Sequence, residues 1–399
     1  MTDWIDDYMK MTKNSEPPDS YRLWTAISTI AAVLERKVWM KWQELIYPNM
    51  YIVLVGPPSA RKSFAMGQGE DFLFKLKDKI NLAPNSSTFP DLAQRLASSK
   101  KKFTTPDGGL HSHNSLTAFS KEMLSLLRKG DDLESIVGFF IECFDCKFYE
   151  KGTKTQGTDR IEAPWFNWLA GIQPDTLRSP KYFPSIAKVQ GLLSRMVFVV
   201  EHKMQYRVLD PRETKEEGKL KGRLLTRLKK INELTGEFHV SDCWVEAWKE
   251  WYSKYPMSVG NARLAHYAAR KPLYIQKLCI VCSASRSLEM TITAEDFNRA
   301  MLILSTAEKR MPEAFEDNVT TNYQEWYQGL TAEVMSHIDI AGELSYSDLF
   351  QKVVMKCKEK DLLQVLNSLV KTNKIALEAV QTSKGLKIDK ETKIRWLRK

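Results

Sequence analysis

Four short apolar runs stand out along the chain: "YIVLV" from Tyr51, "SLTAF" from Ser115, "WFNWLAGI" from Trp165 and "MVFVV" from Met196. Each is bounded by polar or turn residues, and helical patterns separate them. Wholly apolar strands alternating with helices are the mark of a mainly parallel sheet covered on both faces. The pattern predicts a three-layer α/β domain over residues 47–203. Ahead of it, residues 1–46 read as a helix, a turn at "NSEPPDS" and a second helix, "YRLWTAISTIAAVLERKV". In that second helix Ser20 is the expected cap of an amphipathic face made by Leu23, Ile27, Ile30, Ala31 and Leu34. "VWMKW" and "ELIY" follow as short strands.

The stretch "KFYEKGTKTQGTDRIEA" has strand-like ends around a turn and reads as a β-hairpin or a mobile loop. Residues 204–310 read as a charged helical connector and a helical lid subdomain. After the polar link "PEAFEDNVTTN", residues 323–399 give three helices and a strand pair, "KIALEAV" and "KIRWLRK", around "QTSKG". That is the order of a winged helix. No internal repeat is evident.

The 399 residues carry 59 basic and 49 acidic side chains, a formal charge of +10, which favours an anionic partner. From Lys371 to Lys399 there are nine basic residues against three acidic ones, so much of the excess lies at that end. No segment approaches the roughly 20 apolar residues that span a bilayer, and "MTDWIDDYMK" lacks the features of a signal peptide. The expectation is a cytoplasmic protein with no membrane partner and reduced cysteines.

The chemistry concentrates in "GPPSARKS", which follows "YIVLV" directly. A phosphate-binding loop needs a strand, converging backbone amides, a lysine for the terminal phosphates and a hydroxyl for Mg²⁺ at a helix start. Gly56, Pro57, Pro58, Ser59, Ala60, Arg61, Lys62, Ser63 and Phe64 are the candidate nucleotide-binding residues, with Ser63 as the Mg²⁺ ligand. Arg61 stands where such loops commonly have a second glycine. Ordinary helical dihedrals are expected there, with the side chain turned from the phosphates. The alternative is an accidental strand, turn and helix.

These residues resemble the P-loop ATPases of phages, plasmids and mobile elements, often found with primase or primase-polymerase modules, whose loops commonly end in Arg-Lys-Ser. More distantly, the loop and "GLLSRMVFVV" look like segments of minichromosome-maintenance helicases, AAA+ proteins that end in a winged helix. The resemblance covers roughly residues 20–310. It implies an AAA+/RecA-like core, ATP and Mg²⁺ as cofactors, and a ring, expected as a hexamer, acting on single-stranded or forked DNA.

The resemblance also assigns roles. "SLTAFSKEMLSLL" aligns Glu122 with the glutamate that orients the attacking water, but puts Lys121 where an aspartate should help hold Mg²⁺. Gln173, in "WFNWLAGIQPDTL", matches the residue that senses the terminal phosphate, ahead of Asn167. Arg195 matches an arginine that reaches a neighbouring subunit's nucleotide, and Arg263 or Arg270 a lid sensor. The plainer alternatives are a capped surface helix for Lys121 and Glu122, a turn residue for Gln173, a surface arginine for Arg195 and a solvated basic stripe for the last two.

For nucleic acid, the candidates are Lys151, Lys154 and Arg160 in the hairpin and Lys384 and Lys387 in the wing, although winged helices also dock proteins. Cys143 with Cys146 and Cys279 with Cys282 have the spacing of zinc ligands, but the second pair lies in an apolar helix where buried thiols are expected. His111 and His113 have no partner at ligand spacing. The function expected is a ring-forming, ATP-dependent DNA translocase or helicase in phage or mobile-element replication, in a bacterial host, with a primase on another chain. The alternative is an ATP-binding helicase loader or adaptor that hydrolyses weakly or not at all. A small-molecule kinase explains neither the winged helix nor Arg195.

Overall fold

The four apolar runs are parallel strands of one sheet in the computed structural model, which describes residues 3–84, 86–127, 133–153, 157–179, 191–255, 265–315, 319–353, 357, 359–378, 380–382, 385–387 and 391–397. The chain divides into two units, Met1–Phe315 and Glu316–Lys399.

The first unit begins with helices α1 (Trp4–Met11) and α2 (Asp19–Leu34), then short strands β1 (Val38–Lys41) and β2 (Leu45–Ile46). Strand β3 (Tyr51–Val55) leads into α3 (Lys62–Phe74), followed by α4 (Phe89–Ser98), β4 (Lys100–Thr104) and β5 (Leu110–Ser120). Helix α5 (Leu133–Phe144) returns to a hairpin of β6 (Tyr149–Thr153) and β7 (Gly157–Ile161), then β8 (Pro164–Ile172), α6 (Pro174–Arg178) and β9 (Val197–Val200). The central sheet has the order β4-β5-β8-β3-β9, with only β4 antiparallel. Strands β3, β8 and β9 are buried along their whole length, as expected when helices cover both faces.

Side chains of adjacent residues identify the two covers. Trp168 stacks on Phe140 of α5, with ring centroids 4.8 Å apart, while Asn167 bonds to Ser28 of α2. Helix α2 thus lies against the opposite face from α5. It was expected to be amphipathic and capped by Ser20. Instead the residue at its N-cap is Pro18, without a side-chain cap, and Ser20 Oγ donates to Glu201 at 2.7 Å. Nearly the whole helix is buried, because neighbours enclose it on all sides.

Those neighbours come from far along the chain. The Lys215–Asn232 helix, opened by a reciprocal Thr214 and Glu217 capping box, packs its Leu224, Leu228 and Ile231 inward. The Lys271–Arg286 helix is buried from Tyr274 to Ser285. Helix α1 is tied to both: Trp4 Nε1 donates to Leu224 O at 3.0 Å and Ile5 N to Ser285 Oγ at 2.9 Å. Arg299 on the Ala294–Glu308 helix forms an ion pair with Asp3 at 2.5 Å.

Short strands β10 (Gly236–Glu237), β11 (His239–Val240) and β12 (Thr291–Ile292) complete the first unit. The second unit runs helix (Val319–Ala341), β13 (Glu343–Ser345), helices Tyr346–Val353 and Glu359–Lys371, β14 (Ile375–Glu378), the β15 (Val380–Thr382) and β16 (Gly385–Lys387) hairpin, and β17 (Lys393–Trp396). Its three-stranded antiparallel sheet has the order β13-β17-β14, and Val334, Ile338, Leu349, Leu366 and Ile394 fill its core. Strand β13 was not anticipated. It pairs Leu344 with Ile394 of β17.

Candidate nucleotide site

The carboxyl end of β3 is walled before the loop begins. Gly56 donates its N–H to Ile172 O at 3.2 Å, and the Tyr21 hydroxyl donates to Val55 O at 2.7 Å. A Cβ on Gly56 would stand 2.5 Å from the carbonyl oxygen of Glu201 and would also strike the Tyr21 hydroxyl, so only glycine fits. Pro58–Ala60 then make a single 3-10 turn, with Ala60 N bonded to Pro57 O at 3.1 Å.

Arg61 corrects the sequence reading. It has left-handed dihedrals, φ 59° and ψ 27°, as the residue just before α3. The loop keeps the conformation that a glycine would supply, at a cost of about 1–2 kcal/mol for a residue with a Cβ. Its guanidinium is met by Glu16 at 2.6 Å. Strain of this kind collects where surrounding structure enforces a functional geometry.

Lys62 opens α3 and is buried. Its Nζ donates to Pro57 O at 2.9 Å and to Gly56 O, which draws the ammonium across the loop. Burial lowers its pKa and the Glu122 carboxylate raises it again, so the two side chains share one electrostatic neighbourhood. Ser63 and Phe64 complete the first turn of α3 and are exposed. First-turn amides have no acceptor within their own helix and present partial positive charge, which suits a phosphate.

Strands β5 and β8 end beside Lys62. A Cβ on Gly171 would lie 2.6 Å from the Lys121 carbonyl oxygen and 3.8 Å from Lys62 Cε. Lys121 and Glu122 follow β5 and are exposed, Glu122 with extended dihedrals just before a 3-10 turn. Burial raises the pKa of Glu70 on α3, and the charge of Lys121 pulls it back down. Gln173 directly follows Ile172, whose carbonyl receives the Gly56 N–H, and stands at the N-cap of α6 without a side-chain cap. Asn167 is structural: buried in mid-strand, it donates to Ser28 and accepts from Met50 N at 3.1 Å.

Arg195 departs from the expected outward-reaching arginine. It is buried, with Nε and Nη2 on the Asp145 carboxylate at 3.1 and 2.5 Å and Nη1 on Gly191 O at 2.8 Å. Since β9 runs parallel to β3, with Ile52 opposite Val197 and Val55 opposite Val200, Arg195 belongs to the amino-end edge of the sheet, away from the loop. Arg270 approaches the same carboxylate at 4.0 Å, and Arg263 lies outside the described residues.

Among the nucleic-acid candidates, Arg160 is exposed on β7, its guanidinium 5.4 Å from the Phe148 ring centroid. Lys151 is on β6 and Lys387 on β16, while Lys154 and Lys384 lie outside the described residues. On β17 the exposed Lys393 and Arg395 both pair with Glu343. No group of three His, Cys, Asp or Glu capable of holding a metal occurs among the described residues. The two Cys-x-x-Cys pairs are buried free thiols, with burial pushing Cys282 up to about 12. His113 is buried and bonded to Ser115 Oγ at 2.7 Å, and His111 stacks on Phe103.

One feature escaped sequence reasoning. A cavity of about 450 Å³ opens beside the loop, with Met11, Asn14, Phe64, Gln68, Val208 and Pro211 among its walls. Its lining comes from three separated segments, so no local pattern could announce it. No helix among the described residues is long and apolar enough to cross a membrane. No protein-family model and no curated protein matches the chain.

Proposed function

We propose that the chain is a P-loop ATPase of the AAA+/RecA-like kind that works on DNA as a ring, a hexamer by its resemblance, in the manner of a replicative helicase of phages or mobile elements. The carrying observation is the convergence of the Gly56 to Ser63 loop, the Lys62 ammonium, the Gly171 contact and the Glu122 charge at the carboxyl ends of three neighbouring parallel strands. Ligands of open α/β sheets bind at that edge.

The residues present fit ATP. The loop and first-turn amides would hold its phosphates, and Lys62 would exchange the carbonyls of Gly56 and Pro57 for terminal phosphate oxygens. Mg²⁺ fits as an ion held by the Ser63 hydroxyl, phosphate oxygens and water, the usual economy of Mg²⁺ at nucleotides. When bound, it would neutralise charge on the transferred phosphoryl group. Glu122 would orient the attacking water, and Gln173 would report on the terminal phosphate from the end of β8. The second unit supports the DNA reading, since helix, strand, two helices and then β14 and β17 around the β15 and β16 hairpin is winged-helix order, with Lys393 and Arg395 on the sheet and Lys387 on the hairpin. A primase on another chain completes the proposal.

Two observations favour the second reading, a loader or adaptor that holds ATP and barely hydrolyses it. Lys121 replaces the expected carboxylate, and Arg195 is committed to Asp145. A neighbour's phosphate would have to displace that carboxylate before Arg195 could act between subunits.

The test is ATP turnover with and without single-stranded and forked DNA, for the wild type and Lys62→Ala. The helicase reading expects DNA-stimulated turnover that the variant loses, and absence of stimulation by any DNA form would overturn it. Nucleotide-dependent assembly without unwinding of a fork would select the loader.

A further inference from the structure

The cavity beside the loop is continuous with it, because Arg61 and Phe64 belong to both. Phe64 lies two residues after Lys62, yet its aromatic side chain is 56% exposed. Its ring is therefore free to meet a flat ligand beside the loop. Gln68, one turn further on the same face, has a buried Oε1 without a hydrogen-bond partner among the described residues. A buried acceptor left unpaired is costly unless an occupant supplies the donor.

The charges around the cavity give the occupant a polarity. Among the described residues that line it, Glu16, Asp71, Glu213 and Glu217 outnumber Arg61 and Lys221, so that lining is net acidic. It repels a triphosphate, whereas ribose hydroxyls and a base amino group are donors that carboxylates and the Gln68 oxygen can accept. A volume near 450 Å³ is within the range of small-molecule sites. The loop attracts the anionic end of a nucleotide, and the adjoining cavity suits the neutral end.

We infer that this cavity is the nucleoside half of the site, with the base stacked on Phe64 and its amino edge turned to Gln68. The inference rests on the phosphate-loop reading, and the experiment separates the two. Affinities for ATP and for inorganic tripolyphosphate are measured by calorimetry and by mutual displacement, on the full chain, for the wild type, Phe64→Ala and Lys62→Ala. Phe64→Ala is expected to weaken ATP binding about tenfold to a hundredfold, the worth of one base stack, and to leave tripolyphosphate unchanged. Lys62→Ala is expected to weaken both.

If Phe64→Ala changes neither affinity, or lowers both equally, the nucleoside assignment falls while the loop reading stands. Tripolyphosphate that fails to displace ATP from the wild type also counts against the division into two halves. If Lys62→Ala changes neither, the loop reading itself falls. Because Phe64 is largely exposed, its replacement does not disturb the core.

Discussion

The carbonyl oxygen of Lys121 stands 2.6 Å from the point where Gly171 would carry a Cβ, and Lys62 Cε is 3.8 Å from that same point. The ends of β5 and β8 therefore close on each other directly under the loop lysine. Gly171→Ala must push Lys121 outward or displace β8, and overpacking of this kind costs about 1–3 kcal/mol. We expect a lower urea midpoint together with weaker ATP binding. Wild-type values for both would mean that the strand ends separate freely.

The left-handed Arg61 gives an asymmetric expectation. Arg61→Gly relieves about 1–2 kcal/mol of backbone strain and loses a half-exposed ion pair worth up to about 1 kcal/mol, so stability should hold or rise slightly. Arg61→Val, β-branched and unable to pair with Glu16, should lose stability and nucleotide affinity. Chemical denaturation and ATP titration of the two variants would settle the contrast, and equal behaviour would count against strain at this position.

Asp145 holds two arginines, and Arg195 is almost fully buried with it. Asp145→Asn leaves the guanidinium of Arg195 without a counter-charge, which should cost about 3–5 kcal/mol of unfolding free energy. An exposed pair would cost under about 1 kcal/mol. A urea titration showing a loss that small would mean that Arg195 turns outward in solution and leaves Asp145.

Burial, helped by the charge of Lys101, holds His113 neutral, lowering its pKa from 6.5 to about 3. Between those values the unfolded chain takes up a proton that the native chain refuses. The contribution is complete above pH 6.5 and is lost as pH falls toward 3, with a slope of at most about 1.4 kcal/mol per pH unit. His113→Gln should flatten the loss of stability between pH 7 and 5 measured by urea unfolding. An unchanged slope would assign the acid sensitivity elsewhere.

The four parallel strands were legible because a strand buried on both faces has no polar side to interrupt its apolar run. Strand β4 was not: its "KKKFT" is charged, as an edge strand tends to be, and looks like loop. The burial of α2 was hidden because its enclosing helices lie some 200 residues further along, and periodicity sees only the helix itself. At the loop, the strand before Gly56 and the helix that Lys62 opens could be read from spacing, whereas Glu122 came in only through the resemblance. The dihedrals of Arg61 could not, since the loop imposes them against the preference of the residue. Nor could the Arg195 and Asp145 pair, which joins the end of α5 to the start of β9 through space alone.

The ties of α1 to Leu224, Ser285 and Asp3's partner Arg299 bear on how the protein is made. A ribosome adding roughly 5–20 residues per second needs about 15–60 s to pass from the first helix to the last of these anchors. Throughout that interval α2, with 13 of its 16 residues destined for burial, has no complete cover. The nascent chain thus offers a long apolar helix to water before its shelter exists, which makes early α2 a natural station for a chaperone.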